Sequence, residues 1–456
     1  MSAGPVELKR VLGLWDATCV VIGAIIGVGI FFNPRDVANV TGSASGALLA
    51  WTLGGVVALL GAFTFAELGR LRPRAGGQYH ILRDAYGRAP AFLFVFCNLT
   101  AVQAGGVAII GIVCAKHVGV ALFGAEPSST WVLGVASLFT WALVGLNVAG
   151  VRSGAGFQNA TVIVKLVTLG GLFVLAALLP PGVAPAAGEA TAAPLGFASL
   201  FAGVTLTLFA YGGWQQSLWM AGEVKDAHRT VPRAIVVGVV VVVAAYLAAN
   251  WAYLDLLGFA GVKASGALAA DAFSAWSPGV GRRVAAAAVA LSALGVLNAQ
   301  FLTGPRLTWA MAREGQFFSP MARLHPEFAT PTAAIVLLGV LATGLSLGLG
   351  IAGTDMLTTG VVVVDAVFFA LTGLALLVLR HRSTPAERGP RWVAAAAVAF
   401  ALLELLAIAG SVLQQDARRV ALSGLGWIGA AAVIWLVWFQ KDRPGDGEAG
   451  STRGSR

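Results

Sequence analysis

Three glycines within seven residues interrupt the first apolar segment of this chain. The interruption reads Gly23-Ala24-Ile25-Ile26-Gly27-Val28-Gly29-Ile30-Phe31. Glycine costs backbone entropy in a helix and adds no side-chain packing, so an ordinary spanning helix disfavours it. A helix that breaks inside a protein-lined cavity instead gains free N–H groups with partial positive charge, which suit a carboxylate. Close packing of two membrane helices through glycines is the alternative interpretation.

The composition identifies the chain as a membrane protein with many spans. Of its 456 residues, 58% are hydrophobic and 11% are charged, and the mean hydropathy is +0.82. These values exclude an ordinary soluble domain. About twelve apolar segments approach the ~20 residues that a helix needs to cross the hydrocarbon core, which predicts an all-α polytopic fold. They lie near residues 14–33, 44–68, 89–116, 130–149, 157–180, 197–221, 233–257, 283–312, 332–351, 355–380, 391–413 and 421–439.

Basic residues concentrate in alternate loops. The net charge is +9, and most arginines and lysines lie in the even-numbered loops and at the two termini. The positive-inside rule therefore predicts an even number of spans, with both termini cytoplasmic, in the cytoplasmic (inner) membrane. The orientation of the spans in the membrane explains the positive net charge better than a nucleic-acid partner does. The loops after the second, sixth and tenth segments contain Arg70, Arg72, Arg74, Arg83 and Arg88, then Lys225, Arg229 and Arg233, then Arg380, Arg382, Arg388 and Arg391.

The chain contains no recognisable catalytic, metal-binding or cofactor motif. Cys19, Cys97 and Cys114 all lie inside apolar segments without metal-site spacing, so we expect no disulfide, metal or cofactor. No HExxH motif, pair of intramembrane aspartates or Ser/His pair at membrane depth occurs, which argues against an enzyme. The absence of a TVGYG-like filter argues against a channel.

A second glycine-rich interruption occurs in the sixth segment, five segments after the first. It reads Phe209-Ala210-Tyr211-Gly212-Gly213-Trp214-Gln215-Gln216. Interrupted segments at matching places in two halves of a chain indicate the binding site of a transporter built from inverted repeats. Because five is an odd number, the two halves would cross the membrane in opposite directions. Helix packing is again the alternative, but two coincident interruptions favour a binding site.

These motifs resemble the amino acid–polyamine–organocation (APC) superfamily, and in particular its prokaryotic L-amino-acid transporter branch. Residues 23–31 are similar to the first-helix motif and residues 209–214 to the sixth-helix motif, and the resemblance covers roughly residues 10–380. The branch is indicated by Glu223, by Asp226, Arg229, Pro232, Arg233 and Ala234, by Arg306-Leu307, by Ala312-Arg313-Glu314-Gly315, and by His325-Pro326 and Thr330-Pro331.

The resemblance implies a LeuT-type core of ten helices in a 5+5 inverted repeat, with helices 1 and 6 discontinuous and two further peripheral helices. Residues 1–10 would form a cytoplasmic N-terminus, residues 11–180 the first repeat and residues 195–380 the second. Residues 391–440 would form helices 11 and 12. The Gly-rich, charged tail 441–456 is expected to be disordered.

The resemblance also implies where an amino acid would bind. Its carboxylate would meet N–H groups of the first break, and its amino group would meet backbone carbonyls of both breaks. The ring of Phe209 would close the site towards the outside, and the glycine pair that begins at Gly212 would leave room for the substrate side chain. The carboxylate contacts would be Gly27, Val28 and Gly29, and the amino-group contacts would be Gly23, Ile25, Phe209 and Ala210.

Lys165 lies midway along the fifth segment. An ammonium there costs a few kcal/mol or more unless it is paired or hydrated, so a functional role is the default interpretation and snorkelling is the alternative. In the resembling family, a lysine at this place replaces a sodium ion and hydrogen-bonds to the first break. This implies sodium-independent transport. The sequence does not decide whether Lys165 gains and loses a proton during transport, so an exchanger and a proton symporter are both possible.

Asp365 lies in the tenth segment, and the resemblance puts it near the pocket for the substrate side chain. It would favour a polar or cationic side chain, or carry a proton; a structural hydrogen bond between helices is the alternative.

Several other polar residues lie within the apolar segments. Glu67, Glu223 and Arg306 lie near predicted cytoplasmic ends of spans, where a salt-bridge gate and ordinary interfacial charges are both open. Asn98, Gln103, Asn298 and Gln300 either line the pathway or tie helices together, and we favour the structural role. Glu404, in the eleventh segment, lies outside the predicted core and has no functional interpretation.

The sequence departs from the family pattern in two ways. Val28 stands where many relatives have a serine, so a hydroxyl near the carboxylate is missing. The loop 117–129 lacks the cysteine through which the eukaryotic branch bonds a glycoprotein, so no disulfide-linked heavy chain is expected. The sequence thus predicts a secondary amino acid transporter in the lipid bilayer that works by alternating access, as an exchanger or a proton symporter. A polyamine transporter of the same fold is the nearest alternative, ahead of a channel or a membrane-embedded enzyme.

Overall fold

The structure is a computed structural model that describes residues 7–179, 196–350, 354–413 and 415–440. Seventeen α-helices are numbered here in chain order. They are α1 Leu14–Ile25, α2 Gly29–Thr41, α3 Ala44–Leu71, α4 Gly77–Tyr86, α5 Arg88–Phe123, α6 Ser129–Val148, α7 Val151–Leu178, α8 Phe197–Tyr211, α9 Gln216–Trp219, α10 Ala227–Ala264, α11 Leu268–Ser274, α12 Pro278–Thr303, α13 Pro305–Arg313, α14 Thr332–Leu349, α15 Thr354–Arg382, α16 Arg391–Leu413 and α17 Gln415–Ile434.

The prediction of an all-α polytopic protein is confirmed. In the described ranges, ten helices are long and apolar enough to cross a membrane, and the bent pair α1–α2 brings the number to eleven. The shorter apolar helix α14 corresponds to the ninth predicted segment. Several spans extend beyond their predicted ends; the first, for example, continues to Thr41. The tail 441–456, predicted to be disordered, lies outside the described residues.

The first segment is broken at the position that its glycines predict. Helix α1 ends at Ile25, α2 begins at Gly29, and the two axes differ by 45°. The last backbone hydrogen bond of α1 runs from the N–H of Ile26 to the carbonyl of Ile22. The residues between them therefore leave N–H and carbonyl groups without helical partners.

The sixth segment is broken as well. Helix α8 ends at Tyr211, and α9 begins at Gln216. Gly213 has a φ of +129°, a conformation that side chains with a Cβ atom rarely adopt. Both predicted discontinuities are thus present, and the second places a glycine at the residue whose φ is positive.

The arginine-rich loops lie together on one side of the molecule, which we call the arginine-rich side. There the N-terminal segment pairs with the chain after α9, because residues 11 and 12 donate backbone hydrogen bonds to the carbonyl of Glu223. Arg380 at the end of α15 bonds Glu67 at the end of α3, and Arg83 in α4 pairs with Glu314. The ends of several spans are therefore joined on this side.

The loop after α3 corrects one prediction. Its mixture of charged and apolar residues predicts an amphipathic helix between Arg74 and Arg88 at the cytoplasmic surface. A helix does form, α4, but most of it is buried. The Gln78 side chain donates to Thr372 at 2.8 Å and accepts from the indole N–H of Trp219 at 3.1 Å. Helix α4 is therefore a packed part of the protein and not a surface element.

Candidate functional site

A cavity of about 380 Å³ lies where the two breaks meet. We call it the central cavity. Both breaks and α8 line it, together with side chains from α5, α12, α15 and α16. Most of the predicted contact residues reach it, namely Ile25, Gly27, Val28, Gly29, Phe209, Ala210, Gly212 and Asp365. Phe209 is half exposed and Asp365 is partly buried.

The first break presents donors to the central cavity. Among the described residues, no backbone or side-chain oxygen accepts from the N–H groups of Val28 and Gly29. These groups lie at the start of α2, where the helix dipole contributes partial positive charge. Their arrangement suits an anionic group such as a carboxylate.

Gly23 and Lys165 lie behind this wall and do not line the central cavity. Lys165 is only 2% exposed, and its ammonium donates to the carbonyl of Gly23 at 2.8 Å and to that of Ile26 at 2.6 Å. A Cβ atom on Gly295 of α12 would lie 2.8 Å from Lys165 Nζ, so a glycine there makes room for the ammonium. The carbonyl of Gly23 thus holds Lys165, and its predicted contact with the substrate finds no support in this geometry.

Two residues that the sequence reasoning missed also hold the breaks. The Tyr246 hydroxyl of α10 lies 3.0 Å from the carbonyl oxygen of Ile25 and 3.2 Å from that of Ala210, so one buried side chain bridges the two breaks. Ser292 of α12 donates towards the carbonyls of Ile26 and Gly27 at 3.2 and 3.3 Å. Both residues could have been singled out from the sequence, because each places a hydroxyl in the middle of an apolar segment.

The wall of the central cavity is more polar than expected. Gln103 and Gln300, for which a structural role was predicted, both line it, and so does Gln215. Each side chain is at least nine-tenths buried, and the Oε1 atom of each has no hydrogen-bond partner. Gln103 and Gln300 thus reach the pathway, the alternative to the favoured structural role. The structural role fits Asn298, whose side chain forms hydrogen bonds with Asn147, Gln158 and the Gly154 carbonyl away from the cavity.

Glu404 also differs from its prediction. Helix α16 was expected outside the core, yet Glu404 is 6% exposed and lines the central cavity together with Asp365. The hydropathy of α16 does not reveal which of its faces packs towards α15. Its single acidic residue was therefore the only sequence feature that could have indicated that α16 reaches the cavity.

Two buried ion pairs join helix ends on the arginine-rich side. Arg306 and Glu223 form a bidentate pair at 2.9 and 3.0 Å, and both side chains are at most 1% exposed. Arg380 and Glu67 form a second pair at 2.7 Å. Such burial excludes the interpretation of Glu223 and Arg306 as ordinary interfacial charges.

Comparison with known proteins identifies the family. A family model described as amino acid permease matches residues 12–437. The chain belongs to the amino acid permease family. This agrees with its broken helices, its spans and its resemblance to the APC superfamily, and it is a family of transporters, not of enzymes.

Individual relatives agree with this family. The chain is 30% identical to the serine/threonine exchanger SteT of Bacillus subtilis over 409 residues, which cover 89% of this chain and 90% of that protein. It is 29% identical to the human b(0,+)-type amino acid transporter 1, with coverage of 84% and 78%. It is 30% identical to the rat large neutral amino acids transporter small subunit 2, with coverage of 85% and 73%. The permease is therefore an integral membrane protein that transports amino acids.

Proposed function

We propose that this permease exchanges amino acids across the cytoplasmic membrane by alternating access and without sodium. The proposal rests on one observation. Two broken helices meet at the central cavity, and the first break presents to it N–H groups that have no acceptor in the described part of the chain. A substrate carboxylate would accept from Val28 and Gly29. Its ammonium would meet the carbonyls of Ile25, Phe209 and Ala210. Each carbonyl oxygen has two lone pairs, so Tyr246 leaves one free on Ile25 and on Ala210.

The ion pairs on the arginine-rich side support alternating access. Glu223 with Arg306 and Glu67 with Arg380 form buried ion pairs on the arginine-rich side. With both termini cytoplasmic, as the positive-inside rule predicts, these pairs would hold the cytoplasmic side closed. Opening inwards would then require these pairs to separate as the helices rock or gate around the fixed site between the first and sixth segments.

Lys165 supports sodium independence. Its ammonium occupies the space behind the first break and bonds two carbonyl oxygens there. A bound cation would use the same oxygens, so a fixed ammonium makes a sodium ion unnecessary. Exchange is the coupling mode for which the Bacillus relative is named.

We further propose that the permease works without a disulfide-linked heavy chain. The name of the rat relative describes it as a small subunit, which implies a partner for that protein. In this chain the loop 117–129 contains no cysteine that could form an intersubunit bond.

The test is uptake of labelled amino acids into proteoliposomes that contain the purified permease. We expect uptake that requires unlabelled amino acid inside and is unchanged when choline replaces sodium. Uptake into empty vesicles that is driven by an inward proton gradient would show symport instead. Failure of every common amino acid to exchange would overturn the proposal.

A variant pair tests the role of Lys165. Lys165→Met keeps the length of the side chain but leaves the carbonyls of Gly23 and Ile26 without their donor, so we expect exchange to fall at least tenfold. Lys116→Met, which removes a lysine outside the central cavity, is the matched control. Equal activity of the two variants would contradict the role of Lys165.

A further inference from the structure

Two carboxylates face the same wall of the central cavity. Asp365 comes from α15 and Glu404 from α16, and both line the cavity on the side where Phe369 and Ala407 also lie. Among the described residues, neither carboxylate has a hydrogen bond or an ion pair to the protein. Glu404 is more than nine-tenths buried. An ionisable side chain of this kind at membrane depth indicates a functional site.

No cationic side chain offsets these two charges. Of the described residues that line the cavity, none is a lysine, an arginine or a histidine. Lys165 donates to the carbonyls of Gly23 and Ile26 and does not line the cavity. Two carboxylates in a site of low dielectric repel each other unless a cation or protons compensate them.

The remaining polar atoms of the cavity wall favour a cation with several N–H groups. Gln103, Gln215 and Gln300 are buried, and the carbonyl oxygen of each side chain lacks a donor. The indole of Trp214 stacks on Phe369 with ring centroids 5.6 Å apart, and both rings line the cavity. Aromatic faces attract cations, and ammonium and guanidinium groups supply several donors each.

From these observations we infer that the permease takes amino acids whose side chain ends in a cation. The α-carboxylate and α-ammonium lie at the two breaks, and the distal ammonium or guanidinium lies between Asp365 and Glu404. This inference rests on the proposed function and adds to it the substrate class. It gives α16, outside the expected ten-helix core, a direct part in substrate selection.

The first experiment compares each cationic substrate with an uncharged analogue of similar shape in the proteoliposome exchange assay. Lysine is paired with norleucine, and arginine is paired with citrulline. We expect at least a tenfold preference for the cationic member of each pair. Exchange of neutral amino acids without lysine or arginine would overturn this inference and leave the proposed function standing, whereas exchange of no amino acid would overturn both.

The second experiment measures the ratio of lysine to norleucine uptake in Glu404→Gln and Asp365→Asn. Each change removes one charge with little change of shape, so we expect the ratio to fall at least tenfold in each variant. Asp36→Asn is the control, because Asp36 is exposed and does not line the cavity. A ratio that is unchanged in both cavity variants would overturn the assignment of these residues.

Thermal stabilisation and proton-driven uptake test the inference further. Thermal stabilisation of the purified wild-type protein needs no variant, and lysine should raise its unfolding temperature at concentrations at least tenfold lower than norleucine does. Equal stabilisation by the two would overturn the inference. So would norleucine uptake that an inward proton gradient drives in the wild type but not in Glu404→Gln, because the carboxylate would then carry a proton.

Discussion

Gly213 in the second break lies directly against the backbone of Ala24 in the first. A Cβ atom on Gly213 would come within 2.8 Å of both the carbonyl carbon and the carbonyl oxygen of Ala24. Gly213 also has a φ of +129°. The two breaks therefore touch through a position that only glycine can occupy without a shift of the backbone.

This contact makes Gly213 and Gly212 a matched pair of glycines. We expect Gly213→Ala to lower the unfolding temperature and reduce exchange at least tenfold, because the methyl group meets rigid backbone and the strain costs about 1–3 kcal/mol. Gly212 has an extended backbone with a negative φ of −63°, and a Cβ there would have no neighbour closer than 3.7 Å, so Gly212→Ala should leave thermal stability nearly unchanged. Thermal unfolding in detergent measures both, and equal destabilisation would contradict the role of the contact.

Tyr246 and Tyr253 offer a second matched comparison. Tyr246→Phe removes the hydroxyl that bridges the carbonyls of Ile25 and Ala210, so we expect a loss of about 1 kcal/mol of stability and a several-fold slower exchange. The buried Tyr253 hydroxyl has no hydrogen-bond partner, so Tyr253→Phe should be neutral or slightly stabilising. Thermal unfolding and initial exchange rates of the two variants test whether the Tyr246 hydroxyl bridges the breaks. A larger loss in Tyr253→Phe would refute the bridging role.

The sequence located both breaks because a cluster of glycines is a local signal that does not depend on tertiary packing. The position of Lys165 was equally visible, since a charge in the middle of an apolar segment stands out in any window. Its bond to the first break, however, was expected only from the family resemblance. The carbonyls that it contacts lie more than 130 residues away in the chain.

The polar lining of the central cavity could not be predicted in the same way. Whether Gln103, Gln300 or Glu404 faces the cavity depends on the rotation of each helix and on how α16 packs beside α15. Uniformly apolar helices carry little information about rotation, because their lipid-facing and protein-facing sides have similar composition. Tyr246 could have been singled out, since its hydroxyl follows a run of valines and alanines.

The Arg306–Glu223 pair gives a third prediction. Arg306→Met leaves Glu223 as an uncompensated buried charge, and we expect a loss of about 3–5 kcal/mol of stability. Adding Glu223→Gln to that variant should recover part of the loss, because the buried charge is then gone. The control is Glu314→Gln, which breaks a partly exposed pair with Arg83 and should cost at most about 1 kcal/mol. Unfolding of the single and double variants measures these values, and a double variant no more stable than Arg306→Met would contradict the explanation.

His80 in α4 gives a prediction about pH. Burial, reinforced by the nearby Arg83 guanidinium, lowers the pKa of His80 from 6.5 to about 4. Below pH 6.5 the unfolded chain therefore binds a proton that the folded protein does not, so acidification from pH 6.5 towards 4 removes stability, up to about 3 kcal/mol. Thermal unfolding between pH 7.5 and 4.5 should show this slope in the wild type and a shallower slope in His80→Gln. The exposed His381 supplies the control, and equal slopes in His80→Gln and His381→Gln would rule out the buried histidine as the source.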